Sequence, residues 1–284
     1  MRTASAEART IRIGADLDAG GMVRVLEHEA GDLTCTVEAG IRLSALREAL
    51  APAGQRLSLD PPGDPTIGAC LAESLSGPLR HRFGAPRDLV LGVTLVLADG
   101  TIANAGGTVV KNVAGYDLGK LVCGSRGSLA FIGRVSLRLH PVPAAAATVV
   151  VETDDPATTV TALLASQLVP SAVDVLHPGR VAVLFEGGAA AVATQVEAMR
   201  RLGGDPADES VWHESRLRQG AARGRARFVP GELRAFLSGV DEAVVRPASG
   251  VAYLPTSSRD ETSESLRVLQ VRIKERFDPQ GVLA

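Results

Sequence analysis

Between residues 61 and 141 the chain is cut into short apolar strands by glycine, proline and Asp-Gly steps, a punctuation that excludes long helices and favours tight loops. The stretch Pro61-Pro62-Gly63-Asp64-Pro65-Thr66-Ile67-Gly68 gathers residues that set turns and leave backbone N–H groups unshielded by side chains. Successive exposed amides make a concave anion site of the kind a pyrophosphate needs. Upstream, residues 33–38 alternate as a strand, and Leu43, Leu46, Ala49 and Leu50 fall at helical spacing until Pro52 and Gly54 stop them. Residues 89–97 form a β-rich run that meets Asp99-Gly100, which predicts a hairpin. Residues 120–123 lead into Gly124 and Gly127, after which Val135, Leu137 and Leu139 mark one face of a further strand.

Pro141, Pro143 and the four alanines after it read as a linker, so the expected domains are residues 1–143 and 144–284. The second half is predicted as strand (147–153), helix (156–167), strand (172–176), strand (180–186) and helix (189–202). Asp155-Pro156 opens the first helix, Gly203 closes the second, and His177-Pro178-Gly179 turns between the paired strands. That order is most of a β-α-β-β-α-β unit, an antiparallel sheet with helices on one face, followed by a last helix near residues 263–277.

Composition narrows the function classes. With 30 basic against 32 acidic residues and 3% aromatics, neither a global field nor stacking platforms favour nucleic acid. The local cluster Arg216, Arg218, Arg223, Arg225 and Arg227 reads as a solvated face, with a phosphate or nucleic-acid site as the alternative. Cys35, Cys70 and Cys123 stand singly, which implies a reducing, cytoplasmic setting, and three cysteines fall short of the four that normally ligate an iron–sulfur cluster. No apolar run reaches the length of a membrane span. The five histidines, His28, His81, His140, His177 and His213, lack metal-ligand spacing, and only His81 lies inside the glycine-rich segment.

The ordered series TIG (66–68), SG (76–77), GAPRD (84–88), KNVAGYD (111–117) and GSRGSL (124–129) resembles the flavin-binding domain of the vanillyl-alcohol oxidase and p-cresol methylhydroxylase type. Within that family it is most similar to the FAD-binding subunit of bacterial glycolate oxidase, strongly over residues 32–143 and more weakly in the tail VRIKERFDPQGVLA. The resemblance implies an α+β chain: an FAD-binding domain lacking its usual N-terminal βαβ subdomain, then an α+β cap domain with an antiparallel sheet. It implies FAD contacts from Pro62, Thr66, Ile67, Gly68, Ser74, Ser76, Gly77, Gly84 and Ile132, with Gly68 and Gly77 facing the cofactor groove. Gly84 would permit a turn that Arg87-Asp88 pins, and Tyr116 and Asp117 would anchor another; Lys111 could equally be structural. Ala69, Glu73-Ser74 and the Arg126, Ser128 and Ala130 substitutions depart from the family pattern.

Oxidation of a 2-hydroxy acid by a flavin needs a cation for the carboxylate and a base for the hydroxyl proton, and the cap segment resembling HxGDGNxH that supplies them in catalytic relatives is missing here. The expected function is therefore an FAD-binding subunit of a glycolate oxidase-like enzyme, catalytic residues unknown, acting beside a catalytic flavoprotein and an iron–sulfur protein. The alternatives are a noncatalytic interaction subunit that has lost FAD and a start placed downstream of a Gly-rich βαβ segment.

Overall fold

The computed structural model describes residues 10–13, 17, 19–107, 117–258 and 263–283. Its first sheet is antiparallel throughout, with strands β1 (Val25–Glu29), β2 (Thr34–Glu38), β4 (Val90–Val96), β5 (Ile102–Gly106) and β6 (Phe131–Arg138) in the order β1-β2-β6-β4-β5. Alternation along β6 puts Val135 and Leu137 inward, where they meet Val37 and Leu95. Helices α1 (Leu43–Leu50) and α2 (Ile67–Ala72) close this core with Leu43, Leu46, Leu50, Ile67 and Leu71. The Asp-Gly hairpin forms as expected, Gly100 taking φ 84° between β4 and β5. Short helices α3 (Arg80–Phe83) and α4 (Pro86–Leu89) lead into β4, and α5 (Leu118–Val122) packs against β4 and β5.

Residues 141–147 are not the open linker that their prolines and alanines suggest. Pro141 belongs to β7 (His140–Pro141), which pairs with β3 (Gln55–Arg56), and the alanines already lie in β8 (Ala145–Glu152). Alanine suits the edge of a sheet where a helix or another strand lies close above it, and here Ala145 and Ala147 pack on the second core.

The second sheet contains β8, β9 (Ala172–His177), β10 (Arg180–Gly187), β11 (Asp205–Ala207), β12 (Gly224–Arg227), β13 (Ala243–Arg246) and β14 (Val251–Leu254), in the order β11-β8-β10-β9-β13-β14-β12. Helices α6 (Pro156–Ala165), α7 (Ala189–Arg200) and α9 (Leu233–Leu237) pack Val160, Leu163, Val192, Met199 and Leu233 on the face of Val173, Val175, Val181 and Val183. Helices on one face only are not what forms. Helix α8 (Ser210–Gly220) lays Val211 and Trp212 on Ala172, Leu176 and Ala182, the opposite face. The reason is that β9 is buried on both sides, so each of its faces must be covered. The last helix, α10 (Glu264–Phe277), is capped by Ser263. Beyond it Val282 and Leu283 form a small cluster with Ile11 and Ala98, and Ile11 N–H donates to Val282 O at 2.6 Å.

Candidate functional site

Two loops of the first domain meet beside α2. The first leaves α2 through Ser74, which holds φ 52°; the second is residues 124–127, where Gly124, Arg126 and Gly127 hold φ 86°, 53° and 81°. Left-handed backbone costs non-glycine residues of order 1 kcal/mol or more, so Ser74 and Arg126 are held there by their surroundings. The holding bonds are visible: Gly124 N–H donates to Leu71 O at 2.9 Å and Arg126 N–H to Ala72 O at 2.8 Å. A Cβ on Gly124 would lie 3.7 Å from Ser74 Cβ, so the loops touch at these two residues. In the second loop the Ser125 hydroxyl is buried without a hydrogen-bond partner. The loop amides of Gly124, Ser125 and Arg126 are spent within the chain, so what the site offers an oxygen-rich group is the orphaned Ser125 hydroxyl beside a glycine loop of close backbone approach, and on this observation the residues fit a dinucleotide cofactor.

The expected site residues separate into groups. Thr66 caps α2, its hydroxyl accepting from Ala69 N–H at 3.2 Å, and Ile67 is fully buried in the core. Gly68 N–H donates to Ala39 O at 2.7 Å, and a Cβ there would meet Ala39 at about the closest distance tolerated, so Gly68 brings α2 against the end of β2. Ile132 lies on β6 opposite Leu95, buried in the same core. Gly84 takes φ 82° and Asp88 accepts from Ala85 N–H at 2.8 Å, the pinned turn read from GAPRD. Asp117 caps α5, accepting from Lys120 N–H at 3.0 Å. Lys111 and Tyr116 lie outside the described residues.

Gly77 does not face an open groove. A Cβ there would collide with the carbonyl oxygen and carboxylate of Asp60, so glycine is required by close packing within the chain itself. Its neighbour Ser76 is fully buried, and its carbonyl accepts from the second domain: Gln219 Nε2 at 2.8 Å and Arg246 Nη1 at 3.3 Å. Pro62 likewise lies against the second domain, where a Cβ on Gly220 would come within 3.3 Å of it.

Sequence reading missed the seam these residues enter. Arg246, 2% exposed, donates to Gln219 Oε1 at 2.5 Å and to Tyr253 Oη at 3.0 Å, stacks 4.9 Å over the Tyr253 ring, and faces Asp174 with Nε 3.4 Å from Oδ1. Asp174 is fully buried and accepts from Ser215 Oγ at 2.5 Å. Arg56 forms a two-pronged pair with Glu186 at 2.7 and 2.6 Å, a second tie between the halves. None of these pairs has a local sequence signal, because the partners come from distant strands and helices; Ser76 and Arg246 are 170 residues apart.

His81 is half-buried on α3, and burial lowers its pKa against a raising pull from Asp174. The other histidines have structural surroundings or solvent: His28 bonds Gln55 at 2.9 Å, His177 bonds Val240 O at 3.1 Å, His140 packs on Phe83, and His213 is exposed. The arginine cluster is not one solvated face. Arg216 and Arg218 are half-buried, and Arg218 donates to His177 O and pairs with Glu242. Among the described residues no group of His, Cys, Asp and Glu could hold a metal ion, and no helix is long and apolar enough to cross a membrane.

Residues 6–106 match the family described as FAD binding domain, a match that begins upstream of the strands the motifs had marked. The chain is 36% identical over 135 residues to glycolate oxidase subunit GlcE of Escherichia coli, covering 46% of this chain and 39% of that protein. It is 30% identical over 195 residues to glycolate oxidase subunit GlcD of Bacillus subtilis, covering 67% and 42%, and 34% identical over 133 residues to a mitochondrial D-lactate dehydrogenase of Saccharomyces cerevisiae, covering 47% and 23%. The aligned parts thus span about two fifths or less of these curated relatives. Among solved structures, an alkyldihydroxyacetonephosphate synthase superposes with TM-score 0.71 at 16% identity over 99% of this chain and 72% of that one, a likeness of fold. The chain thus carries an FAD-binding domain of the p-cresol methylhydroxylase type, joined to an α+β domain with an antiparallel sheet, and is related in sequence to glycolate oxidase subunits.

Proposed function

We propose that this chain is the FAD-binding subunit of a flavin-dependent 2-hydroxy acid oxidoreductase of the glycolate oxidase kind, accessory to a catalytic flavoprotein subunit and an iron–sulfur subunit. Its functional division is residues 1–143 for the cofactor and 144–284 for the cap. The observation that carries the reading is the meeting of Ser74 with the left-handed loop at Gly124, around the unpartnered Ser125 hydroxyl. When bound, FAD would supply a two-electron acceptor.

Ser74 and Ser125 offer hydroxyls and the glycine loops offer close backbone approach, while Thr66, Ile67, Gly68 and Ile132 hold α2 and β6 as the rigid wall behind them; Ser76, buried in the seam with its hydroxyl accepting from Arg80, acts through the shape of the chain. Pro62, Gly77 and Gly84 act through the shape of the chain, Gly77 by admitting Asp60 and Gly84 by turning into α4. The accessory role follows from the resemblance to subunits named for glycolate oxidase and from the missing HxGDGNxH segment. Three widely spaced free thiols, two of them buried, agree with a cytoplasmic setting and with a separate protein carrying any iron–sulfur cluster.

Visible spectra of the chain purified alone and with co-expressed partners test the reading. Flavin absorption bands that co-purify, or that appear on adding FAD and survive gel filtration, are expected. Colourless protein in both preparations would favour an interaction subunit that keeps the fold without the cofactor.

A further inference from the structure

Helix α10 projects from the rest of the fold. Residues 264–272 are exposed on every side of the helix, and the last turn holds it to the body, where Ile273, Lys274 and Phe277 are half-buried. Lys274 makes the attachment, its Nζ donating to Ser128 O and Leu283 O next to the 124–127 loop. The solvated turns nonetheless carry four large apolar side chains, Leu266, Val268, Leu269 and Val271, between 46% and 56% exposed. A helix of 14 residues is marginal by itself in water, so apolar side chains set around its free turns point to a surface that covers them.

We propose that α10 inserts into a groove of a partner protein whose walls are apolar and whose rim carries carboxylates. The distribution of the four residues argues for a groove. At about 100° per residue, Val268 and Val271 lie roughly opposite Leu266 and Leu269, with Arg272 between the two flanks. A flat surface covers one flank and leaves the other in water, whereas a groove covers both. Charge argues for the rim: on the same exposed turns Arg267, Arg272 and Arg276 outnumber Glu264 and Glu275, so the complementary surface is acidic.

Area separates a groove from the other occupants. The helix is a cylinder about 21 Å long and roughly 10 Å across, with a wall of about 660 Å². A second copy laid along one flank would cover about a third of that wall, far below the roughly 800 Å² that each partner gives to a stable interface. A groove that takes the helix on most sides comes near that figure. A bilayer surface likewise buries one flank and leaves the opposite pair of apolar residues in water. That the partner is a subunit of the same oxidoreductase assembly rests on the function proposed above; the groove itself rests on the helix.

The test is co-expression of the full chain with the flavoprotein and iron–sulfur subunits of its own organism, the complex being read by gel filtration with light scattering and by its dissociation constant. Leu269→Glu and Val271→Glu, one on each flank, should each weaken the complex about tenfold or more, and Arg272→Glu should weaken it and reduce its salt dependence. All three positions are exposed and glutamate favours helix, so unfolding midpoints and flavin content should stay as in the parent. A complex that survives both flank changes, or that responds on one flank only, would overturn the groove. So would a parent chain that forms a dimer by itself which Leu269→Glu returns to monomer, or one that sediments with vesicles of phosphatidylcholine and phosphatidylserine through α10. A complex indifferent to the variants removes this inference alone, whereas no complex with the parent chain removes it together with the accessory-subunit reading, and the flavin spectrum of the same samples reports separately on the cofactor.

Discussion

Replacing Arg246 by methionine strikes the seam between the domains at its most buried charge. Methionine keeps the length and much of the stem packing, so the loss is concentrated on the guanidinium. Asp174, fully buried, then keeps only the Ser215 hydroxyl, and an unpaired buried carboxylate left after removing its partner costs about 3–5 kcal/mol. Ser76 O also loses one of its two donors from the second domain, although Gln219 Nε2 remains at 2.8 Å. For a chain of this size, that destabilisation lowers the melting temperature by about 10 °C. The single tryptophan, Trp212, is 5% exposed beside the seam and reports the change directly in a urea titration. Because the penalty comes from the stranded charge, Arg246→Met with Asp174→Asn should recover more than half of it. A single variant within 1 kcal/mol of the parent, or a double variant no better than the single, would refute the view that this pair is a buried charge couple.

Gly77→Ala should leave little folded protein, since its methyl would overlap the Asp60 carbonyl; circular dichroism and a cooperative melt on soluble material decide it. Asp60 predicts a pH dependence of stability. Its folded pKa, raised to about 7 from 3.8, means the native chain holds the proton more tightly than the unfolded chain. The stability that Asp60 contributes is therefore complete below about pH 4 and declines as pH rises through 7, and Asp60→Asn should flatten this fall in urea midpoints between pH 5 and 8. Lys274→Met removes donations to Ser128 O, Leu283 O and Asp278 Oδ2 at 2.8, 2.7 and 2.6 Å, which should speed amide exchange in residues 124–128 and weaken FAD several-fold, while exchange in the second sheet stays as in the parent.

Local chemistry was legible in the sequence wherever it acts within a few residues. The helix bearing Leu43, Leu46 and Leu50, the Asp99-Gly100 hairpin, the Asp155 cap and the turn pinned by Asp88 all form from neighbours. What escaped was set by distance along the chain. Strands β13, β14 and β12 extend the second sheet from residues with short, weakly patterned runs, and their pairing to β9 is a tertiary fact. Gly77 was read as a place for a cofactor because glycine at a site and glycine under a crossing backbone look alike in sequence. The arginines 216–227 suggested a face, yet α8 turns Arg216 toward Asp60 and Arg218 toward β9 and β13, while Arg225 on β12 stacks over Tyr253 at 5.9 Å.

The central claim is that this chain holds FAD in the loops around Ser74 and Ser125, and an equilibrium titration of FAD fluorescence with the purified chain tests it most directly. Saturable quenching is expected, weakened at least tenfold in Gly124→Val, whose side chain enters the space beside Ser74, and several-fold in Ser125→Ala, with melting temperatures near the parent's for the serine variant. Quenching that never saturates in the parent, or that is equal in the parent and both variants, would contradict the account.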